Sequence, residues 1–306
     1  MKQPQVSIIT PCYNGEAYLE RYFQSILAQT YNNLELIFIN DGSTDRTEEI
    51  ALSYRGKLEQ RGIHYLYEYQ ENAGQAAALN RGLKLFSGDY LTWPDSDDEL
   101  APDSIEQKVN FLLAHPEVKM VRSNGLYIDQ KAGTRTRICS KPHEETEDIL
   151  EPLLLVHTYG CCGCYMITRN LLLECYPDLD IYESRVGQNW QLLVPAASRS
   201  KCGYIDQDLY WVYVHEDSHS RKKRSYQQEY ERWDAFTEVL LHAIEVSQCN
   251  QTACAQLVLE NCARQKFYYA IAEKNKAVMR ETFRVLQKNG SVTWKERMLY
   301  YKKQLL

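Results

Sequence analysis

The chain predicts an α/β domain built on a mostly parallel sheet, and three observations carry that prediction. Apolar runs alternate with segments whose apolar residues fall at helical spacing. The links between them are short, as in parallel sheets covered by helices on both faces. The strand-like runs also end in loops rich in Gly and short polar residues, and ligands of such sheets bind outside those carboxyl ends.

The elements follow in order. Residues 6–11 (Val-Ser-Ile-Ile-Thr-Pro) read as a buried strand, and Tyr18, Leu19, Tyr22, Phe23, Ile26 and Leu27 mark one face of a helix. Residues 34–40 form a second apolar run, ending in Asp41-Gly42-Ser43-Thr44-Asp45. Ser43 or Thr44 is placed to cap a helix running toward Arg61, with Asp45 at the helix end. A strand over 63–67, a helix over 75–86 and a strand over 89–93 complete the series.

The last of these strands delivers Pro94-Asp95-Ser96-Asp97-Asp98. Two carboxylates one residue apart suit a hard divalent cation and the phosphate it carries, although the same pattern also occurs in solvated turns. Position favours the cation. Three loops, at residues 11–15, 40–45 and 94–98, are brought to one edge of the sheet.

Composition sets bounds. The 306 residues suffice for a large domain with an appendage. A net charge of −6 excludes a strongly basic nucleic-acid footprint, so no nucleic acid is expected as a partner. The start of the chain passes from Met1-Lys2-Gln3-Pro4 directly into a strand, with no signal-peptide pattern, so the ten cysteines read as reduced thiols. Cys161-Cys162-Gly163-Cys164 lacks a second ligand pair at zinc spacing and reads as small buried residues leading into a strand over 165–167.

Residues 6–14, Asn40-Asp41-Gly42-Ser43-Thr44-Asp45, Asn72-Ala73-Gly74 with Leu79-Asn80-Arg81-Gly82, Gly88-Asp89-Tyr90 and Asp95-Ser96-Asp97-Asp98 together resemble the family 2 glycosyltransferases of the GT-A fold. The resemblance implies a nucleotide-diphosphate sugar donor, usually a UDP-sugar, and transfer with inversion to an acceptor hydroxyl. It implies a divalent cofactor, Mn²⁺ or Mg²⁺, bound through a DXD motif. A cation on the diphosphate neutralises the charge that grows on the leaving group. By the family pattern Asp41 accepts a hydrogen bond from the base, Pro11 and Tyr13 line the same pocket, Asp95 approaches the ribose and Asp97 ligates the metal. Asn80 is a further donor-side candidate, with holding loop backbone as its other reading. Arg81 reads as a solvated helix charge, because the family often carries its arginine before the asparagine, where this chain has Leu79.

An inverting transferase needs a base for the acceptor hydroxyl. The family's Glu-Asp pair corresponds here to Gln188-Asn189, followed by Trp190, on the acceptor side. The amides keep the size and hydrogen-bonding reach of the acids and cannot take a proton. Three readings follow: Glu183 as the base, another acid such as Asp180, or a nucleotide-sugar-binding or scaffolding protein without transfer activity. Glu183 is preferred as catalytic, with Asn189 as a subsidiary candidate at that position. A nucleotidyltransferase would show a Gly-rich phosphate loop with a basic residue, and residues 11–16 have neither.

Residues 209–214 read as a strand leading into His215-Glu216-Asp217-Ser218-His219-Ser220. This resembles the family segment that closes over the diphosphate, and His219 is the candidate to complete the metal shell, with Arg221-Lys222-Lys223-Arg224 as a phosphate clamp or a solvated linker. From Ser225 onward the apolar spacing is helical, over 226–244, 253–271, 277–286 and 294–305. The expected organisation is a GT-A domain over 1–220, with a donor-binding part to 130 and an acceptor-side part over 131–220, and a helical region over 221–306.

The last helix mixes basic and aromatic residues, which suits either packing on its neighbours or peripheral contact with a membrane surface. The helical region also offers a surface for a homodimer. No apolar segment reaches the ~20 residues of a membrane span. The expectation is a cytoplasmic protein, or one peripheral at the inner face of the plasma membrane. Its expected acceptor is a glycan or lipid-linked glycan, in bacterial cell-surface or extracellular polysaccharide biosynthesis.

Overall fold

The computed structural model describes residues 3–140, 146–214 and 224–304. Strands β1 (Val6–Cys12), β2 (Leu34–Asp41), β3 (His64–Gln70) and β4 (Tyr90–Thr92) pair in parallel in the spatial order β3-β2-β1-β4. Both β1 and β2 are buried along their whole length, as strands covered on two faces must be. Helix α1 (Leu19–Leu27) turns Leu19, Tyr22, Phe23 and Ile26 inward. Its Phe23 stacks on Tyr54 with ring centroids 4.7 Å apart and lies 5.4 Å from Phe38 of β2.

The single helix expected to run toward Arg61 is two, α2 (Thr47–Ser53) and α3 (Arg55–Gln60), meeting at Tyr54. The start is set by Asp45, whose Oδ1 accepts from the Thr47 amide at 3.0 Å. Ser43 does not cap this helix; its hydroxyl accepts from the Asn14 amide and ties the first two loops together. Strand β3 runs three residues past its predicted end, and α4 (Gln75–Leu85) matches its prediction closely.

Beyond β4 the chain adds β5 (Glu99–Leu100), α5 (Ser104–Ala114), β6 (Met120–Asp129), β7 (Thr134–Arg137), α6 (Leu150–Leu154), β8 (Tyr165–Thr168), α7 (Arg169–Cys175), α8 (Gln188–Ala197) and β9 (Cys202–Tyr213). The sheet continues from β4 through β8, β6 and β9 to β5, with β7 on β6. β8 runs antiparallel to both neighbours, whereas β6 and β9 are parallel. The β3-β2-β1-β4 block is therefore parallel and the remainder of the sheet is mixed. β9 begins seven residues before its predicted start, because its first half contains the polar residues Asp206, Gln207 and Asp208 and so shows no apolar run.

Cys162–Cys164 make a single tight turn into β8, as expected of small buried residues. All ten cysteines are free thiols. Under this turn lies Lys108 of α5, fully buried, donating through Nζ to the Gly163 carbonyl at 2.6 Å and the Ser104 hydroxyl at 3.0 Å.

Helices α9 (Tyr226–Glu245), α10 (Gln251–Glu273), α11 (Lys276–Lys288) and α12 (Trp294–Gln304) form the helical region where the periodicity placed it. α9 opens with a reciprocal capping box between Ser225 and Gln228. Leu240, Ala243 and Ile244 of α9 and Val258 of α10 belong to the main core, while Tyr230, Phe267, Ala270, Met279 and Phe283 make a second, smaller cluster. The helical region is thus joined to the sheet domain through shared core. The expected division at residue 220 lies outside the described residues. No helix among the described residues is long and apolar enough to cross a membrane.

Burial pushes the Lys108 ammonium down to about 8. The unfolded chain holds that proton to about pH 10.4, so deprotonation favours the folded state between these values. Relative to Lys108→Met, the wild-type chain is expected to gain about 2 kcal/mol in unfolding free energy from pH 8 to pH 10. Urea denaturation of both proteins across that range checks it, and parallel curves would refute it.

Candidate active site at the carboxyl edge of the parallel strands

The loops after β1 and β2 are laced together by short polar residues. Asn14, at φ 51, accepts from the Thr44 amide through Oδ1 at 2.9 Å, and the Gly15 amide donates to the Thr47 hydroxyl at 2.8 Å. Pro11 is buried at the end of β1 beside Ile39, and Tyr13 stands 52% exposed just beyond it, so Tyr13 is a surface side chain and no part of the core.

Asp41 ends β2 almost wholly buried. Its Oδ1 accepts from the Gln70 side-chain amide at 2.8 Å and the Ala73 amide at 2.9 Å, and its Oδ2 accepts from the Gly74 amide at 2.9 Å. The carboxylate thus fixes the loop that leads into α4. Gly42 permits the close approach of that loop: at φ +72 it lies so near that a Cβ would meet the Asn72 nitrogen at 2.6 Å.

Asp95, Asp97 and Asp98 bring one carboxylate oxygen each to within 4.8 Å of one another, the group with metal-binding geometry among the described residues. Asp98 is buried and accepts from the Tyr210 hydroxyl at 2.7 Å and the Tyr213 amide at 2.9 Å. The Tyr210 oxygen also accepts from the Asp95 amide at 3.1 Å, so one buried tyrosine of β9 shapes the whole turn. The Asp97 carboxylate has no hydrogen-bond donor among the described residues, and its backbone carbonyl accepts from Arg21 at 2.5 Å. Arg21 in turn lies over the Tyr213 ring at 3.5 Å and pairs with Glu99 at 3.2 Å.

Burial and the close approach of Asp97 penalise the charged forms of Asp95 and Asp98. Burial, and then the neighbouring Asp97, push Asp95 up to about 6; the same causes, with Asp95 added, hold Asp98 well above the usual carboxylate range. Burial, and then the nearby Asp95, hold the Cys162 thiol well above its ordinary range. Hard, clustered carboxylate oxygens fit Mg²⁺ or Mn²⁺ and do not fit a thiol-preferring ion.

The sequence model described as Glycosyl transferase family 2 matches residues 7–176. The chain belongs to that family. It is 41% identical over 180 residues to an uncharacterized glycosyltransferase of Rickettsia prowazekii, a match covering 56% of this chain and 52% of the relative. A Bacillus subtilis glycosyltransferase named for teichuronic acid biosynthesis is 39% identical over 111 residues, covering 36% of this chain and 43% of that protein. The chain spans about half the length of the curated relatives it matches. Among solved structures, S. aureus TarS 1–349 in complex with UDP superposes with a TM-score of 0.67 at 16% identity, over 98% of this chain and 87% of that one. A mannosyltransferase of Pyrobaculum calidifontis, in complex with GDP-Man and Mn²⁺, gives 0.60 at 17% identity, over 99% and 85%. These likenesses establish the GT-A fold.

In this family 2 chain the segment after residue 180 is sewn onto α4 and the loop before it. Asn80, a donor-side candidate in the sequence, spends both ends of its amide on Ile181: Nδ2 donates to the carbonyl at 2.9 Å and Oδ1 accepts from the amide at 2.8 Å. Its side chain therefore holds backbone, the other reading open to it. Arg185 donates to the Asn72 side chain at 3.0 Å, and Arg81, expected to be solvated, pairs with Glu68.

Gln188 donates through Nε2 to Gln75 Oε1 at 2.6 Å, and Gln75 Nε2 donates to Asp95 Oδ1 at 2.8 Å. A chain of amides thus connects the start of α8 to the acidic turn. Asn189 accepts from the Trp93 indole at 3.1 Å and donates to the Gly160 carbonyl at 3.0 Å. Trp190 is half-buried, its indole donating to the Leu153 carbonyl at 3.1 Å and its ring meeting Phe236 edge-on. That ring packs against α9. Glu183 is exposed in the preceding loop with no partner among the described residues, and Asp180 pairs with Lys84 at 3.1 Å. His219 and its neighbours in 215–223 lie outside the described residues.

Gln75, Tyr210 and Tyr213 escaped the sequence reading. They carry no motif, and their role exists only because β9 and α4 converge on the acidic turn. Tyr210→Phe deletes the hydroxyl that serves both Asp98 and the Asp95 amide. It is expected to cost about 1–3 kcal/mol of stability, measured by urea denaturation, and an unchanged midpoint would show the hydroxyl to be dispensable.

Proposed function

We propose that this chain transfers a sugar from a nucleoside-diphosphate sugar, of which a UDP-sugar is the first candidate, to an acceptor hydroxyl with inversion, in the synthesis of cell-surface or extracellular polysaccharide. The observation that carries the reading is the trio Asp95, Asp97 and Asp98 beside Asp41 at the carboxyl edge of the parallel strands. Support comes from family membership and from relatives named for UDP, GDP-Man with Mn²⁺, and teichuronic acid biosynthesis.

In this proposal Pro11, Tyr13 and Asp41 line the nucleoside end, Asp95 lies toward the ribose and Asp97, with its carboxylate unspent, is the leading ligand for Mg²⁺ or Mn²⁺. A cation held by Asp97 would supply positive charge to neutralise the departing diphosphate. The acceptor hydroxyl gives its proton to Glu183 as its oxygen attacks the anomeric carbon from the opposite side. The bond from that carbon to the diphosphate oxygen breaks, and the nucleoside diphosphate leaves with the electron pair. A glycan or lipid-linked glycan is the acceptor class.

A second reading, a protein that binds nucleotide sugar without transferring it, is favoured by one observation. Both residues at the family's acidic positions are amides, committed to Gln75, Trp93 and Gly160.

Calorimetric titration with UDP, GDP and their sugar conjugates, with Mn²⁺ and then with chelator, separates the readings. Metal-dependent binding of one nucleotide is expected, weakened at least roughly 100-fold in Asp97→Ala. Absence of binding to all of them would sink both readings. With binding in hand, Glu183→Gln is expected to abolish turnover while leaving donor affinity unchanged; no turnover by the wild-type chain on any acceptor would favour the binder.

The proposal also fixes a pH dependence. Without metal, Asp95 holds its proton to about pH 6 in the folded state, against about 3.9 in the unfolded chain, so ionising it costs stability as pH rises from about 4 to about 6. A bound cation removes that cost. The rise in Tm on adding Mn²⁺ is expected to be small at pH 5 and to grow as pH rises through 6. A pH-independent rise would place the ion elsewhere.

A further inference from the structure

Charge is unevenly distributed along this chain. Residues 274–306 contain nine Lys and Arg against two acidic residues, although the whole chain carries −6. Most of that excess lies on α11 and α12, remote in sequence from the acidic turn.

One side of α12 is anchored. Its Tyr300 ring stacks on Phe283 of α11, with centroids 3.9 Å apart and planes nearly parallel. Glu296, 1% exposed, accepts from Arg264 Nε of α10 at 2.8 Å and from the Thr293 amide at 2.8 Å. These contacts fix the helix about its own axis and decide what it presents outward.

The outward side is apolar and aromatic. Trp294, Met298 and Tyr301 are 74%, 61% and 58% exposed and follow one another at spacings of four and three, which places them in one stripe. They line an open groove of about 850 Å³ together with the basic residues Arg297 and Lys302. Scattered exposed apolar residues need no explanation, but a contiguous aromatic stripe bordered by cations is a surface shaped for an interface.

We propose that the α12 face docks on an anionic lipid surface, with Trp294, Met298 and Tyr301 entering the headgroup region and Arg297, Lys302 and Lys303 meeting lipid phosphates. Charge complementarity selects this occupant. Trp and Tyr are the side chains that settle at a membrane-water boundary, and flanking cations are attracted by acidic headgroups. A second copy of the same face is disfavoured, because an isologous contact would set like charges against each other. The proposal does not depend on the transferase reading, since vesicle binding requires neither donor nor acceptor.

The test is co-sedimentation of the full chain with vesicles of phosphatidylcholine alone and of phosphatidylcholine containing about one third phosphatidylglycerol. Sedimentation with the anionic vesicles only, reduced by added salt, is expected. Lys302→Gln with Lys303→Gln is expected to lower partitioning roughly tenfold or more. Trp294→Ala with Tyr301→Ser is expected to weaken it severalfold while circular dichroism and Tm stay unchanged, because neither side chain is buried. The wild-type result decides even if a variant misfolds. Failure to sediment with either vesicle, or equal sedimentation with both, overturns the proposal. A dimer in light scattering that dissociates in the Trp294→Ala, Tyr301→Ser variant also overturns it and assigns the face to a second copy.

Discussion

The hydroxyl of Tyr210 is the contact on which the candidate site depends. It lies fully buried, donates to Asp98 and accepts from the Asp95 amide, so a single group from β9 holds both ends of the acidic turn. Asp95 and Asp98, buried and drawn close to Asp97, resist ionisation. The arrangement survives because β9, α1 and α4 each supply a donor: Tyr210 and the Tyr213 amide to Asp98, Arg21 to the Asp97 carbonyl, and Gln75 to Asp95. The electrostatic cost that remains at Asp95 and Asp98 is one that a divalent cation, if bound there, would relieve.

A second constraint joins the two halves. The amide chain from Gln188 through Gln75 to Asp95 works in one orientation only. Asp95 accepts through Oδ1, so Gln75 must turn its nitrogen toward Asp95 and its oxygen toward Gln188, which then donates. A carboxylate at position 188 would face the Gln75 oxygen with no proton to share. Gln188 is therefore matched by its surroundings. Asn80 and Arg185 fasten the same segment to α4 and to the loop that Asp41 fixes.

How far the sequence could be read depended on how local each interaction is. Alternating apolar runs expose strand and helix periods directly, so β1, α1, β2, α4 and the four terminal helices were legible near their true bounds. The first half of β9 was hidden by Asp206, Gln207 and Asp208, because an element without a continuous apolar face leaves no period to detect. The split between α2 and α3 at Tyr54 and the antiparallel entry of β8 were hidden for a related reason: both are decided by what the segment packs against.

The sequence by itself determined the family, the parallel first half of the sheet and the loops carrying Asp41, Asp95 and Asp97, since motif spacing and hydrophobic period are properties of the chain alone. Only the tertiary structure decided how those carboxylates are held. Tyr210 lies more than a hundred residues from Asp98, and Asn80 and Ile181 are as far apart, so their contacts have no signature along the chain. The same holds for the exposed stripe on α12: its residues are visible in sequence, but Phe283 and Arg264 fix the rotation that turns Trp294 outward. Propensity and pattern are written locally, whereas side-chain pairing across the fold is set by how the elements pack together.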